Sequence, residues 1–383
     1  MKNSINIAIV GGGASGIFCA IALKNIIKDA NVTIFEGQNK IGKKLLQTGN
    51  GKCNLLNRYL DSSKYNSSDI SELINKYSCE YMMKLFNDMG LMLREDEEGR
   101  IYPYSEKATT VLDVFLNQLN KLNVEVITDT FITRIEKNNG FKLYSNNKVY
   151  NSDIVVVCTG GVASIHYKYN AYDVLERLGH SITKINPSLC ALKVKENTKS
   201  LSGLKVKCTA SIIVDGKKVA STKGEVLFKD NGLSGIAIFI LSQYYQKDKK
   251  CYISLDLFEE LEKEELNDKL NKGDLSNNLI GYFPKMINLD LINKSKNSSI
   301  GEIIKNYKFE IIDTYGFENA QVTKGGVKLD EVSLSTFESK KCENLYLAGE
   351  VLDVDGTCGG YNLYFAFASA YQIALSIKNK KEI

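Results

Sequence analysis

The chain has 383 residues, 44% hydrophobic and 25% charged, which suits a globular protein of two or three domains and exceeds one small core. Its 49 basic and 45 acidic residues leave a formal charge of +4 with no long cationic run, so neither a nucleic-acid partner nor a membrane surface is expected. No segment approaches the roughly 18 apolar residues of a membrane helix, and the nine irregularly spaced cysteines, without a Cys-x-x-Cys, point to a reduced cytoplasmic protein free of disulfides and zinc.

Residues 5–10, INIAIV, are a short apolar run of the kind a buried parallel strand needs. Gly11, Gly13 and Gly16 follow as G-x-G-x-x-G, and the helical periodicity of ASGIFCAIALKNIIK leads to a second strand, NVTIFE, at 31–36. This is a β-α-β unit of nucleotide-binding size. Helices are predicted over 70–93 and 107–122, then a β-meander with turns at KNNG and SNNK. The meander ends in an apolar strand, 154–158, and the glycine pair Gly160–Gly161. Near Pro187 the pattern changes to short strands, with Asp215–Gly216 as a hairpin signal. Residues 258–305 are polar and helical, β-character returns near Val322, and NLYLAGEVLD (344–353) reads as a buried strand. The predicted organisation is α/β. Residues 1–187 and 311–383 make one nucleotide-binding domain, interrupted by a β-barrel-like insert (188–256) and a small helical insert (257–310).

In the fingerprint, Gly11 makes the tight turn, Gly13 lets backbone approach a pyrophosphate and Gly16 allows the helix to pack on the strand. The helix N-terminus then faces the phosphates. Glu36, twenty residues after Gly16, can accept both ribose hydroxyls of an adenosine and would repel a 2′-phosphate. The meander and the late strand ending in Ala-Gly-Glu fit FAD better than NAD. Glu350, with Asp353 behind it, is the acid to hold the ribityl chain. The stretch GTCGGYNLYFAFASAY (356–371) places three glycines before a long helix. The free N–H groups of that helix would face the flavin's pyrimidine edge, where reduced flavin is negative. A second glycine-rich loop, GKKLLQTGNGKCNL (42–55), offers Lys43, Lys44 and Lys52 to phosphates, and Gly49 and Gly51 to close approach. Asn54 could bond a polar flavin edge, and Cys53 reads as a buried filler ahead of a redox thiol.

The stretches GGGASG, GKKLLQTGNGKCNL, GRIYPYSEKA, LGHSITKINPSL, KGEVLFKDNGLSG, AQVTKGGVKLDEV and LYLAGEVLDVDGTCGGYNLYFAFASAY span nearly the whole chain. Through them the sequence resembles a bacterial FAD-binding flavoprotein family that includes bile-acid ene-reductase-like (BaiN-like) and aminoacetone-oxidase-like enzymes. The resemblance implies a Rossmann-type FAD domain of the glutathione-reductase kind with barrel and helical inserts. The family's GSTGDGY-like run after the TGG turn is here TGGVASIHYKYNAYDVL, and its Ser-Gly-Pro is Ser234-Gly235-Ile236. Motifs and resemblance together give the expected FAD contacts. They are Gly11, Gly13, Ala14, Ser15, Gly16, Glu36, Gly37, Lys43, Lys44, Gly51, Lys52, Cys53, Asn54, Val126, Thr159, Gly160, Gly161, Gly349, Glu350, Gly359, Gly360, Tyr361, Asn362 and Leu363. No catalytic acid is fixed; Arg100, Tyr102, Tyr104, Lys107 and Tyr361 are the candidates to meet substrate. With only His166 and His180, a histidine-cluster mechanism is disfavoured. The expected activity is hydride transfer between FAD and a small organic substrate, with NADH or NADPH as a transient donor. No second dinucleotide fingerprint occurs between Leu189 and Val322. A flavin amine oxidase passing electrons to O₂, a flavoprotein acting on RNA and a non-catalytic flavin-binding protein remain open.

Overall fold

In the computed structural model, residues 4–146, 148–164 and 171–381 are described. The chain divides into two compact units, one of residues 1–186 with 322–383 and one of residues 187–321.

The first unit is built on a seven-stranded sheet. Strand β1 (Asn6–Val10) lies inside it, between β2 (Asn31–Phe35) and the strand Ile154–Val157. Outward from β2 comes Glu125–Ile127; outward from Ile154–Val157 come Leu345–Leu347 and two short antiparallel strands, Glu338–Ser339 and Val332–Ser333. The five strands from Leu345–Leu347 to the edge strand Glu125–Ile127 run parallel. Ile154–Val157 is buried at all four positions, as a strand covered on both faces must be. Helix α1 (Ala14–Ile26) crosses from β1 to β2 and packs on the final helix, Tyr361–Lys381. Phe18 of α1 meets Phe86, Phe115 and Phe367 at centroid distances of 5.1–6.3 Å, which ties both helices to the layer between them. The meander is the antiparallel sheet Arg134–Asn138, Gly140–Ser145 and Lys148–Ser152. A small sheet pairs Leu56–Asn57 and Leu93–Glu95 with Arg100–Pro103.

The second unit is a closed six-stranded antiparallel barrel. Its long hairpin, Lys205–Val214 with Lys217–Lys229, turns on Asp215 and Gly216, both at positive φ (48° and 80°), as a type I′ turn requires. Phe228, Tyr307 and Phe309 fill its interior. Two features depart from the sequence reading. The strand that closes the barrel, Tyr307–Thr314, comes after the helices, so the helical segment is nested within the barrel, and its expected limit of 310 falls inside that strand. The run IAIFILS, read with the strands, is the helix Ile236–Ser242. A continuous apolar run of that length has no period to separate the two states.

Candidate FAD and substrate site

The three fingerprint glycines answer to different constraints. Gly11 has φ +107°, and a Cβ there would lie 2.5 Å from the Cys158 carbonyl oxygen. At Gly16 a Cβ would lie 1.9 Å from the Gly11 carbonyl oxygen. Both are forced by packing of the turn on its own chain. Gly13 has an ordinary extended φ of −85°, and nothing lies within 4 Å of where its side chain would stand. The protein itself does not need glycine there, and the space is left open above the first turn of α1. That helix has no side-chain cap and no acid in its first turn, and its first internal bond is Ile17 N–H to the Gly13 carbonyl at 3.0 Å. The N–H groups before it carry the positive end of the helix dipole into the open space.

Glu36 stands at the end of β2. Its Oε2 accepts the Gly12 N–H at 2.8 Å and its Oε1 accepts the Gln38 N–H at 2.8 Å. A carboxylate offers about four acceptor sites, so about two remain for hydroxyls. Thr159 Oγ1 is buried beside Gly11 without a hydrogen-bond partner among the described residues, and Gly160 (φ +68°) has open space where a side chain would be. An open, uncapped helix start, a fixed carboxylate with spare acceptors and an orphaned hydroxyl are what a dinucleotide needs, so the residues present fit FAD. Gly37, by contrast, is held by packing, since a Cβ would meet the Phe131 ring at 2.5 Å. Val126 is an exposed residue on the edge strand, opposite Ile34, and its side chain makes no part of the turn.

Glu350 follows Leu345–Leu347 in the turn Gly349–Val351. Its Oε1 accepts the Thr323 N–H at 2.7 Å, and its Oε2 pairs with Lys44 Nζ at 2.7 Å. Gly161 makes room for this acid: a Cβ there would lie 2.3 Å from Thr323 Oγ1 and 2.8 Å from Glu350 Oε1. A Cβ at Gly349 (φ +73°) would lie 3.1 Å from Ser15 Oγ, in the first turn of α1 after Ala14. Lys44 and Glu350, far apart in sequence and assigned to different parts of the cofactor, are thus one ion pair beside the fingerprint. Thr323 was missed; a lone threonine in a short strand carries no sequence signal.

The second glycine loop has an unusual backbone. Gly49, Asn50, Gly51 and Cys53 all have positive φ, between 56° and 81°. For the two non-glycines this costs on the order of 1–2 kcal/mol each, and such strain persists where the surroundings enforce it. The Cys53 thiol is fully buried, and burial pushes its pKa up to about 12, so it is a packed thiol and not a reactive thiolate. Lys43 opens the short helix Lys43–Gln47 that leads into the loop.

Beyond the loop, the chain clasps the start of the final helix. The Asn54 amide donates to the Leu56 carbonyl at 2.9 Å and accepts the Gly360 N–H at 3.2 Å. Asn57 Nδ2 donates to the Gly359 carbonyl at 2.8 Å, and Asn362 closes the turn through the Gly356 N–H (2.8 Å) and carbonyl (2.7 Å). Gly360 (φ +96°) is therefore glycine because its Cβ would lie 2.4 Å from the Leu56 carbonyl oxygen; its own backbone fills that space. The N–H groups of Tyr361, Asn362 and Leu363 precede the first internal bond, Tyr364 N–H to the Gly360 carbonyl at 2.9 Å. Tyr361 itself is buried, edge-on to Tyr65, with its hydroxyl donating to the Tyr59 carbonyl at 3.2 Å. That commitment takes it out of the substrate candidates.

The remaining candidates line up along the strand Arg100–Pro103. Ile101 and Pro103 are buried, while Arg100 and Tyr102 share the opposite, half-buried face. Asp96 (2.7 Å) and Glu98 (2.9 Å) hold the Arg100 guanidinium. The Tyr102 ring lies 3.8 Å from the Cβ position of Gly49, and its hydroxyl has no hydrogen-bond partner among the described residues. Lys107 is exposed at the rim of a cavity of about 340 Å³, shared with Asn50, Lys52, Arg94, Ser105 and Glu106. Glu106 bridges Lys52 (2.6 Å) and Arg94 (3.0 Å), and Tyr104 stands 64% exposed with Arg94 over its ring at 4.9 Å. His166 and its neighbours at 165–170 lie outside the described residues. Among those described, no helix is long and apolar enough to cross a membrane and no group of side chains could hold a metal.

Comparison with known proteins identifies the family. The chain is 32% identical to 3-dehydro-bile acid delta(4,6)-reductase of Clostridium scindens, over 95% of this chain and 97% of that one. It is 28% identical to ribosomal RNA dihydrouridine synthase of Haemophilus influenzae, over 97% and 98%. Among solved structures it shares a fold with 3-ketosteroid delta1-dehydrogenase of Sterolibacterium denitrificans, at a TM-score of 0.51, 11% identity, and 99% and 100% coverage. The model of the HI0933-like protein Rossmann domain matches residues 5–376, from the first strand into the final helix. The chain therefore belongs to the HI0933-like Rossmann family and is an FAD-dependent oxidoreductase.

Proposed function

We propose that this enzyme saturates a carbon–carbon double bond conjugated to a carbonyl in a small molecule, with electrons drawn from NADH or NADPH. The open space at Gly13, which the protein's own packing does not require, carries the cofactor half of the reading. The chemical half rests on what two similar proteins have in common. A delta(4,6)-reductase of a 3-oxo steroid acid and a dihydrouridine synthase both add two hydrogens across a double bond activated by a carbonyl.

In this reading the α1 N–H groups and the Lys44 charge bind the pyrophosphate, Glu36 accepts the adenosine ribose hydroxyls and Glu350 accepts a ribityl hydroxyl. The N–H groups of Tyr361 to Leu363 oppose negative charge at the pyrimidine edge, worth roughly 0.3–2 kcal/mol for the dipole. When bound, the flavin supplies the storage and release of a hydride equivalent. The second unit is a barrel with helices and lacks a parallel β-α-β unit among its described residues, so nicotinamide and substrate use one pocket in turn. The test is anaerobic stopped-flow. NADH or NADPH should bleach the flavin, cyclohex-2-enone or a 3-oxo-Δ4 steroid acid should restore it, and steady-state plots should be parallel. Bleaching by amines with recovery only by O₂ would replace this reading with the oxidase.

RNA is the second reading, and a specific observation favours it. Exposed Tyr104 beside Arg94, with Lys107 and Lys52 on the same cavity, combines a stacking ring with cations, of which Arg94 and Lys52 are paired with Glu106 and Lys107 is the one to meet a phosphate first. Binding of an rRNA fragment that survives physiological salt would support it; loss of all binding there would remove it.

A further inference from the structure

We infer that Tyr102 is the residue that delivers the proton to substrate carbon, an inference that rests on the double-bond reduction proposed above. Four observations converge on it. The alternation of the strand Arg100–Pro103 turns Tyr102 away from the core, onto the face it shares with Arg100. Its ring edge borders Gly49, in the left-handed loop that runs on to the clasped start of the final helix. Its hydroxyl is uncommitted among the described residues, whereas the Tyr361 hydroxyl is bonded to the Tyr59 carbonyl. Finally, Tyr102 sits in a charged cluster, where the cations Arg100 and Lys52 act on the phenol against the anions Asp96 and Glu98.

The chemistry suits the placement. Partial burial raises the Tyr102 pKa above the ordinary phenol value, against the lowering effect of Arg100. The group is therefore fully protonated near neutral pH. Once the proton leaves, Arg100 and Lys52 attract the phenolate while Asp96 and Glu98 oppose it, so the phenolate is short-lived and reprotonates readily. Arg100 is itself locked by Asp96 and Glu98, so its charge stays in place. The same guanidinium acts on the Cys358 thiol, next to Gly359, which puts this charge near the start of the final helix as well as the loop. In the step, the carbon β to the carbonyl gains a hydride equivalent from the reduced cofactor. The carbon α to it gains the Tyr102 proton as the phenol O–H breaks and the C–H forms. The cofactor is oxidised by two electrons, the substrate reduced by two, and water returns a proton to the phenolate.

Tyr102→Phe tests this with two acceptors. Ferricyanide takes electrons and needs no proton at carbon; 2-methylcyclohex-2-enone needs one and records which face it came from. The variant should keep its FAD, its bleaching by NAD(P)H and its ferricyanide turnover. It should lose about 10²–10⁴-fold in enone reduction, the usual span for a positioned acid. The product that still forms should approach a racemate, where wild type gives one enantiomer. Unchanged enone turnover overturns the assignment. Equal loss with both acceptors also overturns it, because it makes Tyr102 structural. A wild-type protein that reduces ferricyanide but no enone shows instead that the underlying reading has failed, and the inference falls with it.

Discussion

Two helix starts in this molecule look alike in sequence and differ in structure. Both α1 and the final helix are preceded by glycines, and the two helices pack together. At α1 the protein leaves its central glycine open and supplies no cap. At the final helix, three asparagines tie the turn down and the Leu56 carbonyl fills the space beside Gly360. Glycine thus stands in two settings here, open space in one turn and close approach of the chain to itself in the other. Only the space around each glycine tells them apart.

The strongest way to break that distinction is a pair of substitutions within one turn. Gly13→Val should abolish retention of FAD yet leave the thermal unfolding of the apoprotein nearly unchanged, because φ −85° suits valine and the space is free. Gly16→Val should fail to give soluble protein at all, since 1.9 Å from a backbone oxygen allows no side chain. Heat release of flavin with chromatography, beside calorimetry of the apoproteins, reads both; equal unfolding defects would erase the contrast. A smaller effect is expected from Glu350→Ala. If Glu350 holds a ribityl hydroxyl as proposed, the change removes a charge-assisted bond to the cofactor and takes away the Lys44 partner, for about 1.5–3 kcal/mol, or about 10–100-fold in FAD affinity by titration of the apoprotein. Wild-type affinity would show that the acid serves only the Thr323 and Lys44 contacts. The smallest is Asn54→Ala. It loosens the clasp on the final helix, so FAD affinity should fall only a few-fold while stability drops by about 1–3 kcal/mol, the cost of leaving buried backbone groups unpaired. A larger loss of affinity than of stability would mean that the clasp acts mainly by aiming the helix N–H groups at the ligand.

These regions were not equally legible in the sequence. The β1-α1-β2 unit and Glu36 could be read because local sterics and spacing dictate them, and the same is true of the Asp215–Gly216 hairpin. The late strand was legible by its apolar run, although its regular part is only Leu345–Leu347 and Glu350 follows in a turn. The clasp was not legible, because Asn54 and Gly360 are some 300 residues apart and nothing local in either announces the other. That is why Gly360 was expected to face flavin. Tyr361 failed for the same reason, as its neighbours Tyr59 and Tyr65 come from a distant segment. The nested barrel was hidden because strand partners are not encoded by periodicity. Tyr307–Thr314 alternates like any half-buried strand, and only closure against Leu192–Val194 and Cys251–Asp256 reveals its place.

The order of the chain has a consequence for how the protein is made. The barrel has all its strands once Thr314 has left the ribosome, while the central sheet still lacks Leu345–Leu347 and α1 still lacks the helix it packs on. At about 5–20 residues per second, that gap is several seconds. During it the N-terminal fingerprint belongs to an unfinished half-domain, with the side of α1 that meets the final helix bare. The insert is complete first and the central sheet last, so the nascent chain leaves most apolar surface uncovered in the interval just before its final helix emerges.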